Sequence, residues 1–597
     1  MLKLLKYIKP FAFPLVLAIS TLFVQAFCDL TLPNLMSRLV NLILADTAAA
    51  SADDPGGGIL NLGLMMGAVA LIGGGAAVGV SFLSTRIAAG VARDLRYAVF
   101  QKVESFSSHE FDSFSTASLI TRCTNDVTQV QQIFIMGIRM LCYAPVMGIG
   151  GIIMAVNMAP SMSWIIALAV AVLIFLIVTV NSIVMPKFKK IQALVDGLNR
   201  IARETLNGLM VIRAFGAQDH EKKRFDDVNR ELTSTNLFVN RVMTLMMPVM
   251  NLIMNTAILL IIWNGSHRIA AFSMGVGDMM AYIQYTMHVI FSFLFFSMVF
   301  VMLPRTLVSA ERIAQVLGTE VSINDLSEPL APPNPDAPLV PENAQDRRGA
   351  RVEFRNVSFR YEGASEHALS DISFTAESGE TTAIIGATGS GKSTIANLIL
   401  RFYDVRDGDG AVTLDGLDVR KFSQKELRSR IGYVPQKSIL LSGPISFNLR
   451  YGKKDASDAE IREGAGIAQI LDFIDEGPEG MEAALAQGAA NISGGQKQRL
   501  SIARALVRDP ALLIFDDSFS ALDFATDARL RAALAEKRRE TTKIIVAQRV
   551  GTIMQAEKII VLDEGRIVGM GTHKELMESC VQYREIAESQ ISEAANE

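Results

Sequence analysis

The chain has 597 residues, a net charge of −4 at neutral pH and a mean hydropathy of +0.30. This length accommodates about two to four domains. Half of the residues are apolar, which is too many for an ordinary soluble enzyme, yet 20% are charged, so we expect a hydrophobic part joined to a soluble part. The small negative net charge gives no indication of the strongly basic surface that a nucleic-acid-binding protein needs, and we expect no nucleic-acid partner.

Six apolar stretches within residues 1–320 predict six membrane-spanning helices, because a helix needs roughly 20 apolar residues to cross a bilayer. The segment after the first stretch carries three aspartates and no lysine or arginine, whereas the segment after the fourth is rich in both basic residues. Basic loops stay in the cytoplasm, so we expect both termini there. The stretches begin near Phe11, Leu60, Ile133, Ser163, Val242 and Met279.

Long polar helices accompany the predicted spans, and a proline-rich segment then separates this first half of the chain from the second. Polar, helix-favouring stretches at roughly 86–130 and 187–240 predict helices that extend beyond the membrane, with breaks near 109–118 and 214–221. Residues 321–350 contain six prolines among acidic and small residues, which predicts an extended linker. In residues 351–597 short β-branched runs alternate with helical stretches, which predicts an α/β domain with a mostly parallel sheet.

A phosphate-binding loop is predicted at the start of this second domain. The segment GATGSGKST at 386–394 follows a predicted strand and opens a predicted helix, as a P-loop does. Its backbone N–H groups and the helix N-terminus favour phosphate, Lys392 would reach the β- and γ-phosphates of ATP, and the Ser393 hydroxyl would hold Mg²⁺. The predicted nucleotide-contacting residues of this loop are Gly386, Thr388, Gly389, Ser390, Gly391, Lys392, Ser393 and Thr394.

Further motifs follow in a characteristic order. A second strand, 512–515, ends in Asp516, whose carboxylate is a candidate Mg²⁺ ligand. The segment NISGGQKQR at 491–499 resembles the ABC signature motif, and SALD follows the aspartate strand at 520–523. With the P-loop, this order resembles the ABC superfamily, over nearly the whole chain. The resemblance implies an exporter half-transporter of the type IV fold, an all-α membrane domain of six helices fused to an α/β P-loop ABC nucleotide-binding domain.

The resemblance also implies roles for single residues. Tyr361 stands where the family stacks an aromatic ring on adenine, although a surface tyrosine at a strand end is the alternative. Gln436 matches the Q-loop that senses Mg²⁺, and Asp523 matches the D-loop. The breaks near 109–118 and 214–221 become coupling helices that dock on nucleotide-binding domains. The signature residues would contact the γ-phosphate of a nucleotide held by the opposite subunit: Ser493, Gly494, Gly495 and Gln496.

Two positions depart from the family pattern. The residue after the Mg²⁺ aspartate is usually glutamate, but here it is Asp517, and Gln548 replaces the usual switch histidine. The carboxylate of Asp517 falls about 1 Å from the usual place, which can cost on the order of 100-fold in rate. Gln548 can donate a hydrogen bond but cannot carry positive charge. We therefore expect a degenerate site in a heterodimer, with a second ABC half-transporter as partner; a homodimer that uses Asp517 as catalytic base is the alternative.

The predicted function is ATP-driven export of a hydrophobic or amphipathic small molecule, drug-like or lipid-like, across a bacterial inner membrane, with the nucleotide-binding domain in the cytoplasm. An ATP-gated regulator or channel-like protein that does not pump is a second hypothesis. Methionines and phenylalanines in the fifth and sixth stretches suit varied ligands, although we favour packing and lipid contact for them. Asp29 lies inside the first stretch and is a functional candidate, or else a structural residue that pairs with Gln25.

Overall fold

The computed structural model describes residues 6–48, 55–325 and 349–596. Most of the predicted linker, residues 326–348, lies outside the described residues. The chain forms two compact units. The first comprises Met1–Glu104 and Ser115–Thr319, and the second comprises Ser105–Phe114 and Glu320–Glu597.

The first unit is built from helices, and its described residues contain six helical segments long and apolar enough to cross a membrane. The predicted six-helix membrane domain is thereby confirmed. The third segment starts well before the predicted position near Ile133, because a polar helical extension precedes its apolar part. The helices of this unit are α1 (Ala12–Ala48), α2 (Pro55–Glu104), α4 (Thr116–Thr121), α5 (Val127–Gly137), α6 (Ala144–Met158), α7 (Ser163–Asn207), α8 (Leu209–Ala214), α9 (Gln218–Ala270) and α10 (Val276–Gly318).

Two π-helical turns, Arg122–Asp126 and Ile138–Tyr143, interrupt the third segment on either side of α5. Such turns occur often at functional sites, since they rotate the side chains that follow them. The second predicted break falls at the end of α8 and the first residues of α9.

Side chains of α1, α6 and α10 share a buried core that includes Leu30, Met147 and Tyr282. Tyr285 on α10 is fully buried and its hydroxyl donates to the carbonyl of Leu30 at 2.9 Å. This bond matters because a buried phenol without a partner is costly.

The second unit is α/β, as predicted. Its strands are β1 (Val352–Phe359), β2 (Leu369–Ala376), β3 (Thr381–Gly386), β4 (Ala411–Leu414), β5 (Leu417–Asp418), β6 (Ile431–Val434), β7 (Gly443–Pro444), β8 (Ala484–Leu485), β9 (Leu512–Asp516), β10 (Thr542–Val546), β11 (Lys558–Asp563) and β12 (Arg566–Gly571). Five strands of the main sheet are parallel, in the order β11-β3-β10-β9-β6, and β12 adds an antiparallel edge beside β11. A second sheet is antiparallel, in the order β2-β1-β4-β5, and β7 pairs with β8.

Alternating side chains of the parallel strands enter two separate cores, as the period of two along a strand requires. Leu513 and Phe515 of β9 belong to one core, and Leu512 and Ile514 to the other. Helices cover both faces of this sheet. The helices of this unit are α3 (Ser108–Ser113), α11 (Lys392–Ile399), α12 (Gln424–Ser429), α13 (Ile445–Arg450), α14 (Asp458–Ile467), α15 (Leu471–Glu476), α16 (Gly494–Val507), α17 (Phe524–Lys537), α18 (Val550–Ile553), α19 (His573–Ser579) and α20 (Val581–Asn596).

Helix α3, within the first predicted break, belongs to the second unit although it is encoded between α2 and α4. Its Asp112 accepts a 2.9 Å hydrogen bond from the Tyr403 hydroxyl. Glu110 is buried and accepts from the Ser322 amide at 3.0 Å. Burial alone would raise the pKa of Glu110, but hydrogen bonds from Ser107 and Ser322 outweigh it and hold the pKa below its ordinary value. This helix is therefore fixed by polar contacts to residues more than 200 positions away.

Candidate functional site

The predicted phosphate loop joins the carboxyl end of β3 to the amino end of α11, the position that favours anions. Gly391 caps α11 with a left-handed backbone, φ +96°, and a Cβ there would lie 2.6 Å from the carbonyl oxygen of Ala368. Gly389 is also left-handed, φ +89°, but a Cβ there would meet no atom within 4 Å. Glycine is thus required at Gly391 for both conformation and space, and at Gly389 for conformation alone.

The ammonium of Lys392 lies over this loop. Its Nζ donates to the carbonyl oxygens of Gly386 at 2.9 Å and Ala387 at 2.6 Å. Burial lowers the pKa of Lys392 from its ordinary value, and the charges of Asp517 and Asp516 oppose that shift. A phosphate at the loop would give this cation stronger, charge-assisted acceptors than the two carbonyls.

Ser393 and Asp516 form an oxygen pair beside the loop. The Ser393 hydroxyl donates to Oδ1 of Asp516 at 2.9 Å, and the Tyr433 hydroxyl lies 3.5 Å from Oδ2. Asp516 is only 4% exposed at the end of β9. Burial raises its pKa, the Ser393 hydrogen bond opposes this, and the charge of Asp517 adds to the rise. A hydroxyl and a carboxylate are hard ligands of the kind that Mg²⁺ prefers, so these two residues fit a bound Mg²⁺.

Asp517 is held by the two glutamines that the sequence singled out. Gln548 Nε2 donates to Oδ2 of Asp517 at 2.7 Å, and Gln436 Nε2 donates to the same oxygen at 3.2 Å. The backbone of Asp517 is left-handed, φ +48°, and its N–H donates to the carbonyl of Val546 at 2.9 Å. The structure therefore brings Gln436, Asp517 and Gln548 together at the rim of the site, on the carboxyl ends of the parallel strands.

Sequence reasoning missed Gln590 on α20. Its Nε2 donates to the carbonyl of Gln548 at 2.7 Å, and its Oε1 accepts from the Val550 N–H at 2.8 Å. One amide thus fixes the backbone on both sides of Arg549. A single glutamine 42 residues downstream leaves no local signal in the sequence.

The other predicted residues lie apart from this group. The Tyr361 hydroxyl is 3.0 Å from Thr394 Oγ1, and its half-buried ring meets Tyr403 edge to face. Ser493 is exposed and caps α16 together with Gln496, whose N–H lies 3.3 Å from Ser493 Oγ. Asp523 is exposed and caps α17 by accepting from the Thr526 N–H at 2.9 Å.

Comparison with known proteins identifies both units. Residues 15–293 match the ABC transporter transmembrane region, and residues 369–520 match the ABC transporter domain. An ABC transporter ATP-binding protein of Mycobacterium tuberculosis, strain H37Rv, is 40% identical over 563 residues, 94% of each chain. This chain belongs to the ABC transporter family. Family membership implies ATP as the cofactor and makes this chain a multi-pass membrane protein whose ATPase domain couples hydrolysis to transport.

Two further comparisons concern this ABC transporter. The ATP-dependent lipid A-core flippase of Pseudomonas aeruginosa is 30% identical over 610 residues, which cover 99% of this chain and 96% of the flippase. A bacterial Atm1-family ABC exporter with ATP bound has the same fold, with a TM-score of 0.75 at 24% identity over 96% of this chain and 97% of that one. The exporter fold predicted from the sequence is confirmed, and ABC exporters of this fold work as dimers in the bilayer.

Proposed function

We propose that this chain is one half of a heterodimeric ABC exporter, with a degenerate nucleotide site, that moves a hydrophobic or amphipathic small molecule across the membrane. The observation that supports this proposal most directly is the pairing of Asp517 with Gln548. An attacking water needs a carboxylate positioned to polarise it. In this chain the carboxylate is the shorter aspartate, and two amides already donate to its Oδ2. ATP bound here is held rather than hydrolysed quickly.

The partner supplies what this chain lacks. A glutamate and a histidine at the matching positions of a second half-transporter form the competent site. This chain contributes its signature residues Ser493–Gln496 and its D-loop Asp523; Ser493 and Asp523 are exposed at helix starts. In its own site, the loop residues 386–394 and Tyr361 hold ATP. Ser393, Asp516 and Gln436 would hold Mg²⁺, which when bound neutralises the charge that develops on the phosphates.

The remaining parts follow from this assignment. Helix α3 and the α8–α9 turn near 214–221 serve as coupling helices, and residues 321–350 link the membrane domain to the nucleotide-binding domain. The membrane is a bacterial inner membrane with the nucleotide-binding domain in the cytoplasm, in keeping with the bacterial origin of the relatives. One relative that is 30% identical to this chain is named as a lipid A-core flippase, and this similarity supports an amphipathic substrate.

Purification of the tagged chain from its native membrane tests the heterodimer. We expect a second ABC half-transporter in equimolar amount, with the glutamate and histidine intact. Replacing that glutamate by glutamine should abolish most Mg²⁺-dependent ATPase activity, whereas Asp517→Asn should cause a far smaller loss. Recovery of this chain alone as a self-dimer, with brisk ATPase activity that Asp517→Asn removes, would show a homodimer. ATP-driven uptake into sealed inverted vesicles separates a pump from a regulator.

A further inference from the structure

A cavity of about 240 Å³ lies among the first, third and sixth candidate spans. Its wall combines apolar side chains with three polar ones, so it differs from a purely apolar packing defect. Cavities that bind small molecules have this composition, with a few polar groups that orient the ligand. The wall consists mainly of Leu22 and Gln25 on α1, Arg139, Met140 and Tyr143 on the π-helical turn, and Phe295 on α10.

Arg139 is the only cation in this wall, and it lies on the irregular turn Ile138–Tyr143. Within residues 6–48, 55–325 and 349–596, no carboxylate lies within ion-pairing distance of its guanidinium. The residue is 19 positions before the end of α6, which is roughly 28 Å along the helix. An unpaired charge in a membrane-spanning segment is costly and marks a functional position by default.

The neighbouring carboxylate is already engaged. Asp29 on α1 accepts a hydrogen bond from the Tyr143 hydroxyl at 2.6 Å and interacts electrostatically with His288 on α10. Asp29 itself is absent from the cavity wall. It therefore orients the Tyr143 ring, while the donor groups of Arg139 stay available to a ligand. A cation in the wall favours a ligand that carries negative charge.

A second, mainly apolar cavity adjoins this charged one. It has a volume of about 180 Å³ and shares Ala144 with the first. From Arg139 to Ile152 the helix advances roughly 20 Å. This length accommodates a ligand whose charged head group lies at Arg139 and whose extended apolar tail lies along α6. Ser292 is the one polar side chain in the wall of this second cavity, and its hydroxyl donates to the carbonyl of Val289 at 2.7 Å. The other residues of this wall include Pro145, Gly148, Ile149, Phe293 and Phe296.

We propose that the two cavities form a binding site for an amphipathic organic anion, with its carboxylate or phosphate at Arg139 and its apolar tail along α6. This inference rests on the proposed export function and narrows its substrate class from any amphiphile to acidic ones. A free acidic amphiphile and an anionic phospholipid share this chemistry, so the test includes both sources.

The probe is a dansylated undecanoic acid, compared with its uncharged methyl ester. Binding is measured without ATP, on the chain purified with whatever partner it carries and placed in nanodiscs of neutral phosphatidylcholine. Energy transfer from tryptophan reports it, since both tryptophans of this chain, Trp164 and Trp263, lie in the membrane unit. We expect Arg139→Gln to weaken acid binding by about tenfold or more, because a hydrogen bond to a charged group is lost, and to leave the ester unchanged.

Two variants serve as controls. Arg139→Lys should keep acid binding within about threefold, since the positive charge remains. Arg38→Gln removes an exposed arginine of α1 that lies outside the cavity wall and should bind acid as the unaltered chain does. Nanodiscs with phosphatidylglycerol identify the source: displacement of the acid probe supports a lipid headgroup as occupant, and retention supports a free amphiphile.

Equal weakening of acid and ester by Arg139→Gln, or an unaltered chain that binds the ester as tightly as the acid, would overturn the inference. Because binding is measured without turnover, acid selectivity can hold even if ATP-driven uptake is never observed. Conversely, uptake of neutral compounds with no acid selectivity would refute this inference alone and leave the export function standing.

Discussion

Gln548 and Asp517 are joined by a 2.7 Å hydrogen bond from Nε2 to Oδ2. In this arrangement the proposed switch residue, Gln548, binds Asp517, the residue proposed to stand where the family places its water-activating carboxylate. Gln436 donates to the same oxygen, so the carboxylate is steered by two neutral amides. A histidine at position 548 and a longer carboxylate at 517 would change both the charge and the reach of this group.

Restoring the family residues tests this interpretation. We expect Asp517→Glu combined with Gln548→His to raise ATP hydrolysis at this site by about 10- to 100-fold, since a carboxylate in reach of the water acts as general base. The measurement is ATPase activity in a complex whose partner carries glutamine in place of its catalytic glutamate, so that only this site turns over. Asp517→Asn is the matched control. No gain in the double variant would show that something other than these two residues limits hydrolysis.

Asp516→Asn separates stability from metal binding. Burial raises the pKa of Asp516, so the folded protein holds the proton more tightly than the unfolded chain does. The ionised carboxylate therefore lowers the free energy of unfolding at neutral pH, and that loss shrinks as pH falls through the raised pKa toward the pKa of the unfolded chain. Asparagine can still accept from Ser393 without a charge. We expect a higher melting temperature for the nucleotide-free variant, by about 2–4 °C for each kcal/mol relieved.

The gain from Asp516→Asn should diminish as the pH is lowered through the raised pKa of Asp516, and the variant should lose the additional stabilisation that Mg²⁺ gives with ATP. Differential scanning fluorimetry with and without ATP and Mg²⁺ checks both points. A lower melting temperature in the absence of nucleotide would contradict the assigned cost of burial.

Two glycines of the phosphate loop form a matched pair. Gly389→Ala forces a left-handed backbone at φ +89° on alanine, which costs on the order of 1–3 kcal/mol. Gly391→Ala imposes similar strain at φ +96° and also places Cβ 2.6 Å from the Ala368 carbonyl oxygen, so we expect a larger loss by about 1–3 kcal/mol more. Chemical denaturation of the nucleotide-free protein gives the comparison. Equal losses would show that the loop can move away from Ala368.

Gln590 is predicted to position the switch segment. Gln590→Leu removes both hydrogen bonds to the backbone flanking Arg549. We expect faster amide hydrogen exchange at Val550, by about tenfold for every ~1.4 kcal/mol of lost local stability. Gln582→Leu, at an exposed position of the same helix, is the control and should leave that exchange unchanged. Similar exchange in both variants would mean that other contacts hold the segment.

Local and periodic features were predictable from the sequence. Apolar runs of bilayer length predicted six spans. The positions of Lys392 and Ser393 beside the phosphate loop were predictable because the geometry of that loop depends on residues adjacent in the sequence. Long-range pairings were not predictable. The structural alternative for Asp29 named Gln25, one turn away, but the partner in the structure is Tyr143, 114 residues distant. Neither the π-helical turn that carries Arg139 nor the amide of Gln590 has a pattern by which sequence alone would reveal it.

Helix α3 has a consequence for biosynthesis. Tyr403 follows Asp112 by 291 residues, so at about 5–20 residues per second the helix is made on the order of 15–60 s before the surface that receives it. During that interval the hydrogen-bond partners of Glu110 and Asp112, Ser322 and Tyr403, have not yet been synthesised. The second unit therefore cannot fold completely from residues 320–597 alone, because it also needs α3. Substitutions on this face of α3 would therefore reduce the amount of mature transporter through quality control, before any change in nucleotide affinity could be measured.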